Sequence, residues 1–557
     1  MMRWRGVGAW FAGTSFLFSS SSGCFDDTAD SACRAERATP EALGGIFVDI
    51  TATAGLASLD WRWPSRIAEL PCEGGYLDLS GVASGDLDGD GHQDLVLARP
   101  LQGPVIAFGD GDGHFDASLT SGVAAMAASS AGVLVFDWDA DDDLDVLVTE
   151  AGNHQALLLE NRGGRTFVNV GEAAGLWEAR PEDLPCAAQR SASAFDFDLD
   201  GDLDLFVGRW DVKLRTMRPR LLVRGPDGYR DEAEARGLPP FPQSYGASWL
   251  DVDEDGFTDL LVAGDFGTTK AFRGRPSGFF EPAPMAWGIG TGEDGMAGVV
   301  HDFDADGRMD WFVTGTRLEG RLCTHTGLDC SGNRVYRNTG NGFTRIEAEL
   351  GLEDAQWAWG AAAVDLDLNG VSELVVTNGY SPVGLQGIPP DVAAPYAPYA
   401  SDETRLWVSR PGRWVDMALE AGLVHSALGR TVLPLDFDND GDLDIVIANG
   451  SGPPSVFRNV QQHSDRTGVT VVLRGSGPNT WAVGALVIAR AAGLPEQRRL
   501  VQAGGGYLGG PEPSVHFALG PSCSRRATLE VHWPGGAVST HPATGETRQV
   551  IVQSGDP

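Results

Sequence analysis

The chain has 557 residues, 42% of them apolar, with 77 acidic against 41 basic side chains and a formal net charge of −36. That apolar content supports a packed core and excludes a disordered acidic protein, while the lack of a broad basic surface argues against nucleic acid as a partner. The charge is concentrated: 27 carboxylates stand at positions 1, 3, 5 and 9 of seven copies of one nine-residue motif, and without those 27 the net charge would be −9.

At the N-terminus, Arg3 and Arg5 precede an apolar stretch over residues 7–18, a serine run and Gly23-Cys24. This pattern predicts a secretory signal over residues 1–23, since twelve apolar residues are too few for an ordinary membrane span. Small residues before Cys24, followed by Phe-Asp-Asp, resemble a bacterial lipoprotein processing site, although Ser21 stands where that motif prefers Leu. The alternatives are a cell-surface or outer-membrane lipoprotein, attached to membrane only through Cys24, and plain secretion. Residues 24–44 are expected to form a linker. The other six cysteines are Cys33, Cys72, Cys186, Cys323, Cys330 and Cys523. An even number in an oxidising compartment suggests disulfides, with Cys323–Cys330 the first pairing to expect and Cys72–Cys186 the second. Zinc at Cys323, His325 and Cys330 would lack a fourth ligand.

The first acidic motif, residues 86–94, has Asp86, Asp88, Asp90 and Asp94 at positions 1, 3, 5 and 9, glycine at 6 and His92 at 7. The second has Asp137, Asp139, Asp141, Asp143 and Asp145, with Asp142 in place of the glycine. The third has Asp196, Asp198, Asp200, Asp202 and Asp204; the fourth has Asp251, Asp253, Asp255, Phe257 and Asp259. The fifth has Asp302, Asp304, Asp306, Arg308 and Asp310. The sixth, with Asp365, Asp367, Asn369, Val371 and Glu373, carries less charge and a longer closing side chain, so it is expected to be the weakest site. The seventh has Asp436, Asp438, Asp440, Asp442 and Asp444. Calcium takes six to eight oxygens at about 2.3–2.6 Å. Carboxylates at 1, 3 and 5 on a tight turn can all point inward, with the carbonyl of residue 7 and the carboxylate at 9 completing most of the shell. The expectation is up to seven Ca2+ sites. The motif is not an EF-hand: Leu97 occupies position 12 of the first copy, and its flanks are strand-like. Single Asp-Gly turns are often merely solvated; seven in one context argue for an ion.

Each motif follows a run of small and apolar residues, such as Gly81-Val-Ala-Ser-Gly85, and precedes a compact apolar run, such as Leu95-Val-Leu-Ala98. Such runs predict strands buried on both faces. A third strand, such as Ala156-Leu-Leu-Leu159, and a fourth opening on an aromatic, such as Phe167-Val-Asn-Val, complete a unit that recurs every 51 to 71 residues. Four short strands at that period are the signature of a β-propeller blade. Six fourth strands follow their own blade, and a seventh lies before the first motif at Phe47-Val-Asp-Ile. The fold predicted is therefore all-β: a seven-bladed propeller over residues 45–460, with residues 46–51 closing blade seven, and a small C-terminal antiparallel β domain over residues 461–557.

The long connections, residues 57–80, 177–190, 239–245, 209–219, 317–333 and 380–404, should gather on the face opposite the acidic loops, where binding commonly resides. They include a basic cluster, Arg209, Lys213, Arg215, Arg218 and Arg220, and a stretch bearing Tyr380, Tyr396 and Tyr399. The basic cluster suits an acidic ligand or merely offsets the protein's own field; the tyrosines suit sugar rings or merely pack on neighbours.

The segments Val483-Gly-Ala-Leu-Val, Gly504-Gly-Gly-Tyr507, His516-Phe-Ala-Leu-Gly520 and Val531-His-Trp-Pro-Gly535 resemble the ASPIC/UnbV domain, and the acidic repeats resemble FG-GAP/VCBS repeats. Together they resemble the cartilage acidic protein family over nearly the whole mature chain. The resemblance implies an extracellular calcium-binding propeller of the integrin-α type and supplies no agreed activity. No Gly-x-Ser-x-Gly elbow, His-Glu-x-x-His or nucleotide-binding loop is present, so no catalytic residue is expected. The expected role is binding or adhesion to an extracellular protein or glycan; the alternatives are a calcium-dependent lectin and a polysaccharide-degrading enzyme.

Overall fold

Each acidic motif joins one apolar strand to the next, and the pair grows outward into a four-stranded antiparallel sheet. The computed structural model describes residues 44–61, 79–117, 123, 129–151, 155–178, 189–210, 218–290, 293–317, 332–381, 394–461, 466–520 and 527–554. The signal stretch, all seven cysteines, Lys213 and Arg215 lie outside the described residues, and so do the lipidation, disulfide and zinc expectations attached to them.

The innermost strands of the seven blades are Val82–Gly85, Ser130–Phe136, Gln189–Phe195, Ser244–Leu250, Gly295–His301, Ala358–Val364 and Gly429–Leu435. They converge so closely that glycine is required at points of contact: a Cβ on Gly360 would lie 2.2 Å from the carbonyl oxygen of Arg430 in the next blade. The second strands, among them Asp145–Glu150, Asp310–Gly315 and Asp444–Asn449, are buried along their whole length. This is what their uninterrupted apolar runs require. Core clusters form between neighbouring blades; one joins Leu366 and Leu406 of blade six to Ile445, Phe457 and Phe47 of blade seven. The outer strand of blade seven comes from the other end of the propeller sequence. Phe47–Asp49 pairs antiparallel with Ser455–Asn459, Phe47 opposite Asn459. The ring is thus closed by hydrogen bonds and leaves no unpaired edge at the junction of its ends.

The C-terminal domain has two sheets. In one, Gly468–Arg474 lies between Ser514–Ala518 and Arg548–Val552; in the other, Leu486–Arg490 lies between Gln497–Leu500 and Thr528–His532, with Val538–Pro542 at the edge. All these pairings are antiparallel except that of Gly468–Arg474 with Arg548–Val552, which is parallel.

Candidate metal sites and the surface they support

The seven loops repeat one hydrogen-bond scheme. The backbone N–H of residue 6 donates to Oδ2 of the first aspartate in every loop, at 2.7–3.1 Å. The N–H of residue 7 donates to the side chain at position 5 in every loop, at 2.7–3.1 Å. Carboxylates 1 and 5 are therefore fixed in direction by the chain itself. Position 6 has a left-handed backbone in all seven copies, including Asp142 at φ 76°.

Position 4 is left-handed as well, at Gly89, Ala140, Leu199, Glu254, Ala305, Leu368 and Asn439. Nothing local signals this, because only the first copy has glycine there. A left-handed L-residue costs about 1–2 kcal/mol, so the loops hold backbone strain along with their charge.

The ninth residue has a second task. In six loops its carboxylate accepts the N–H of residue 2, at 2.8–3.2 Å. In six it also accepts an N–H from the third strand of the blade, at 2.7–2.9 Å. It brackets the loop to the sheet. Blade three is the exception to the first bond: Asp204 is 1% exposed and its Oδ2 has no hydrogen-bond partner.

Position 3 is the least satisfied by backbone. Oδ1 of Asp139, Asp198, Asp253 and Asp438 is buried without a partner. Arginines flank this position in five blades: Arg165 at Asp88, Arg236 at Asp198 (3.0 Å), Arg273 at Asp253, Arg337 at Asp304 (3.8 Å) and Arg458 at Asp438 (3.2 Å).

In loops one, four and five, oxygens at positions 1, 3 and 5 lie within 4.8 Å of one another; in loops two and three, positions 1, 3 and 9 do. Two oxygens on one calcium ion cannot be more than about 5 Å apart, so these spacings fit calcium. Burial, reinforced by neighbouring carboxylates, pushes the ninth residue far above the usual aspartate range, to about 8 at Asp94 and Asp145, about 9 at Asp204 and about 7 at Asp259 and Asp310. Unpartnered buried oxygens and crowded like charges are what a donor set for a divalent cation presents. The residues fit the ion.

The C-terminal domain lies on this face of the ring. Pro478 stands beside Gly201, Arg498 beside Gly307, Pro495 beside Gly370 and Thr547 beside Gly441. Arg499 donates to the Ser372 hydroxyl at 2.8 Å, and Arg466 donates to the Asp367 carbonyl oxygen at 2.8 Å.

From the same side, residues 503–512 enter the central channel as a tongue. Ala503–Gly504 pairs with Ser193 and Ala194 of blade three. Val133 of blade two donates its N–H to the Leu508 carbonyl at 3.0 Å, and Ser84 of blade one donates to that of Gly510 at 3.3 Å. The Thr431 hydroxyl of blade seven donates to the Tyr507 carbonyl at 2.7 Å. The Tyr507 ring, 1% exposed, packs on Tyr245 of blade four and Trp359 of blade six, at 5.5 and 5.4 Å between centroids. Tyr245 and Trp359 begin their strands at the end away from the acidic loops, so the tongue runs the depth of the channel. Its glycines are required by close approach: a Cβ on Gly509 would lie 2.0 Å from the Val82 carbonyl oxygen. Sequence reasoning noticed Gly504-Gly-Gly-Tyr507 only as a resemblance. A glycine run around an aromatic was the available signal for backbone packed against backbone.

On the opposite face the basic cluster is corrected. Arg209 and Arg220 are buried; Arg209 pairs with Glu178, and Arg220 lies 3.5 Å from Asp231 and donates to the Leu176 carbonyl. Arg218 pairs with Glu234 at 2.9 Å. Among the described residues Arg209 and Arg220 share one buried group with Glu178 and Asp231, and Arg218 pairs apart from it. Tyr399 is also buried, its hydroxyl donating to the Arg317 carbonyl at 3.2 Å. Trp357, Tyr380 and Tyr396 are half-buried, with centroids 4.3–6.0 Å apart.

Fold and loops define a repeat propeller capped by a second β domain. Residues 86–148 and 251–313 match the FG-GAP-like repeat, and residues 475–556 match the ASPIC and UnbV family. This tandem is that of the cartilage acidic protein family, which the chain resembles in both parts. Cartilage acidic protein 1 of Homo sapiens is 36% identical over 345 residues, 59% of this chain and 47% of that protein; the match thus spans about half of the human protein's length. The Mus musculus protein is 23% identical over 495 residues, 76% of this chain and 73% of its own. Among solved structures, the BP39L lectin from Burkholderia pseudomallei is 12% identical with a TM-score of 0.41, covering 70% of this chain and 98% of the lectin.

Proposed function

We propose that this protein is an exported calcium-binding β-propeller that acts as a binding or adhesion module for an extracellular protein or glycan, without turnover of its own. The observation that carries the proposal is the division of the ring's two faces. One face bears the seven acidic loops and is covered by the C-terminal domain, whose tongue enters the channel. The other bears the half-buried rings of Trp357, Tyr380 and Tyr396, and is the face left for recognition. Calcium holds the scaffold and does not itself meet the ligand. Aromatic rings with neighbouring carboxylates such as Asp354 suit a sugar or a peptide side chain. The calcium-dependent lectin is the special case in which the ligand is a glycan. Secretion and lipidation at Cys24 are separated by the mass of the mature N-terminus.

The test is binding of the full chain to glycan and extracellular-protein arrays, with calcium and with chelator, beside a panel of polysaccharide substrates. Saturable binding weakened by Tyr380→Ala or Tyr396→Ala, without bond cleavage, is expected. Bond cleavage, or a ligand held by the acidic-loop face, overturns the proposal.

A further inference from the structure

The two loops that depart from the repeat pattern each meet an arginine of the C-terminal domain through the departing or neighbouring residue, as regular loop five does where Arg498 stands beside Gly307. In loop two, Asp142 replaces the usual glycine, and its carboxylate lies 3.9 Å from Arg474. In loop six, position 8 is Ser372, which accepts the hydrogen bond from Arg499.

Two further contacts reach donor sets. The Thr480 hydroxyl donates to Oδ2 of Asp137, the oxygen that the N–H of Asp142 also holds. Glu512, at the base of the tongue and 1% exposed, accepts from Gln93 Nε2 at 3.2 Å and from the backbone N–H of Asp86 at 3.4 Å. Arg548 holds the same glutamate at 2.6 Å. Loop two also contains the buried, unpartnered Oδ1 of Asp139. Loop four differs: among the described residues no hydrogen bond or ion pair joins residues 251–259 to the C-terminal domain.

We propose that cation occupancy of loops one and two and docking of the C-terminal domain are one linked equilibrium, with Thr480 and Glu512 as positioning residues that reach the donor sets from the other domain. The proposal rests on the calcium assignment of the loops and deepens it. Groups that orient metal ligands tune affinity strongly; here such groups belong to the second domain. Linkage is reciprocal: if docking tightens the ion at these loops, the ion tightens docking by the same factor. Without the ion, the Asp137 carboxylate that Thr480 addresses and the turn at Asp86 and Gln93 that Glu512 holds lose the cation that would steady them, and the hold of the tongue's base on blade one weakens.

Hydrogen exchange on the full chain, with calcium and with chelator below the unfolding temperature, tests this. The amides of residues 503–512 are expected to exchange at least tenfold faster in chelator, while those of Gly468–Arg474 and Thr528–His532 stay protected. Thr480→Val is expected to weaken one calcium affinity roughly tenfold and to speed exchange of the tongue. Glu512→Gln is expected to speed the tongue too. Asp253→Asn, in loop four, is expected to remove one ion and leave the tongue unchanged. Equal tongue protection in calcium and chelator, in a protein that binds calcium, overturns the linkage alone. A chain that binds no calcium overturns the assignment of the loops as well, a different result in the same titration.

Discussion

The two faces of the ring are built on opposite economies of sequence. The acidic-loop face repeats one nine-residue unit seven times, fixes the side chains at positions 1 and 5 with backbone N–H groups, and stores both like charge and left-handed backbone. The opposite face repeats nothing: its connections differ in length and composition from blade to blade, and its described ion pairs, such as Arg209 with Glu178 and Arg317 with Glu353, are local. Repetition marks what every blade needs, which is closure of its first turn. Variation marks what the whole molecule needs once, and recognition is of that kind.

The largest expected effect comes from removing what holds the repeated face together. At millimolar calcium and a dissociation constant near 0.1 mM, each occupied site adds about 1.4 kcal/mol. Seven such sites rival the total stability of an ordinary domain, about 5–15 kcal/mol. Chelation is therefore expected to lower the thermal midpoint by many degrees, seen by calorimetry. An unchanged melt would remove the distinction between the faces. Next in size is Tyr507→Ala. The ring is buried against Tyr245 and Trp359, and truncating a buried aromatic costs about 3–5 kcal/mol. The loss should appear in denaturant unfolding with calcium still bound. A loss under about 1 kcal/mol would mean that the tongue does not support the channel.

Much of this architecture was legible in the chain, and the reason is periodicity. The seven-bladed ring follows from acidic loops flanked by small and apolar runs, with an aromatic-led outer strand before the first loop as well as after six of them. The gathering of acidic side chains in each turn was legible for the same reason. The left-handed position 4 was not, since alanine, leucine and glutamate give no local signal; only the turn as a whole imposes that φ. Nor was the channel tongue, because pairing of Ala503–Gly504 with Ser193 and Ala194 spans more than 300 residues. The basic cluster misled because Arg220 is charged by type and core-facing by position.

A third effect separates the faces by pH. Five of the ninth-position carboxylates, Asp94, Asp145, Asp204, Asp259 and Asp310, have folded values of about 7 to 9 against an ordinary 3.8. A carboxylate raised in the folded state contributes stability that is complete below its unfolded pKa and lost as pH rises through the folded value. The metal-free protein is therefore expected to melt higher at pH 5 than at pH 9. With calcium, the ion supplies the missing positive charge and protons compete with it, so the order should reverse. Parallel profiles in calcium and chelator would show that the buried carboxylates do not meet the ion.

The smallest effect tests the stored backbone strain by itself. Leu199 is the fourth residue of loop three, with φ 61° and 55% exposure, so its side chain gives up little packing when removed. Leu199→Gly relieves about 1–2 kcal/mol of left-handed cost and adds about 0.5–1 kcal/mol of unfolded-chain entropy. A net gain of about 0.5–1 kcal/mol is expected from these two terms, measured as a shift of the denaturant midpoint. The same change at Leu368 should fail, since that side chain is 1% exposed and its burial outweighs the strain. If Leu199→Gly destabilised the protein in chelator and in calcium alike, the left-handed turn would be no burden on the loop. The cost of the repeated face would then lie in its charges alone.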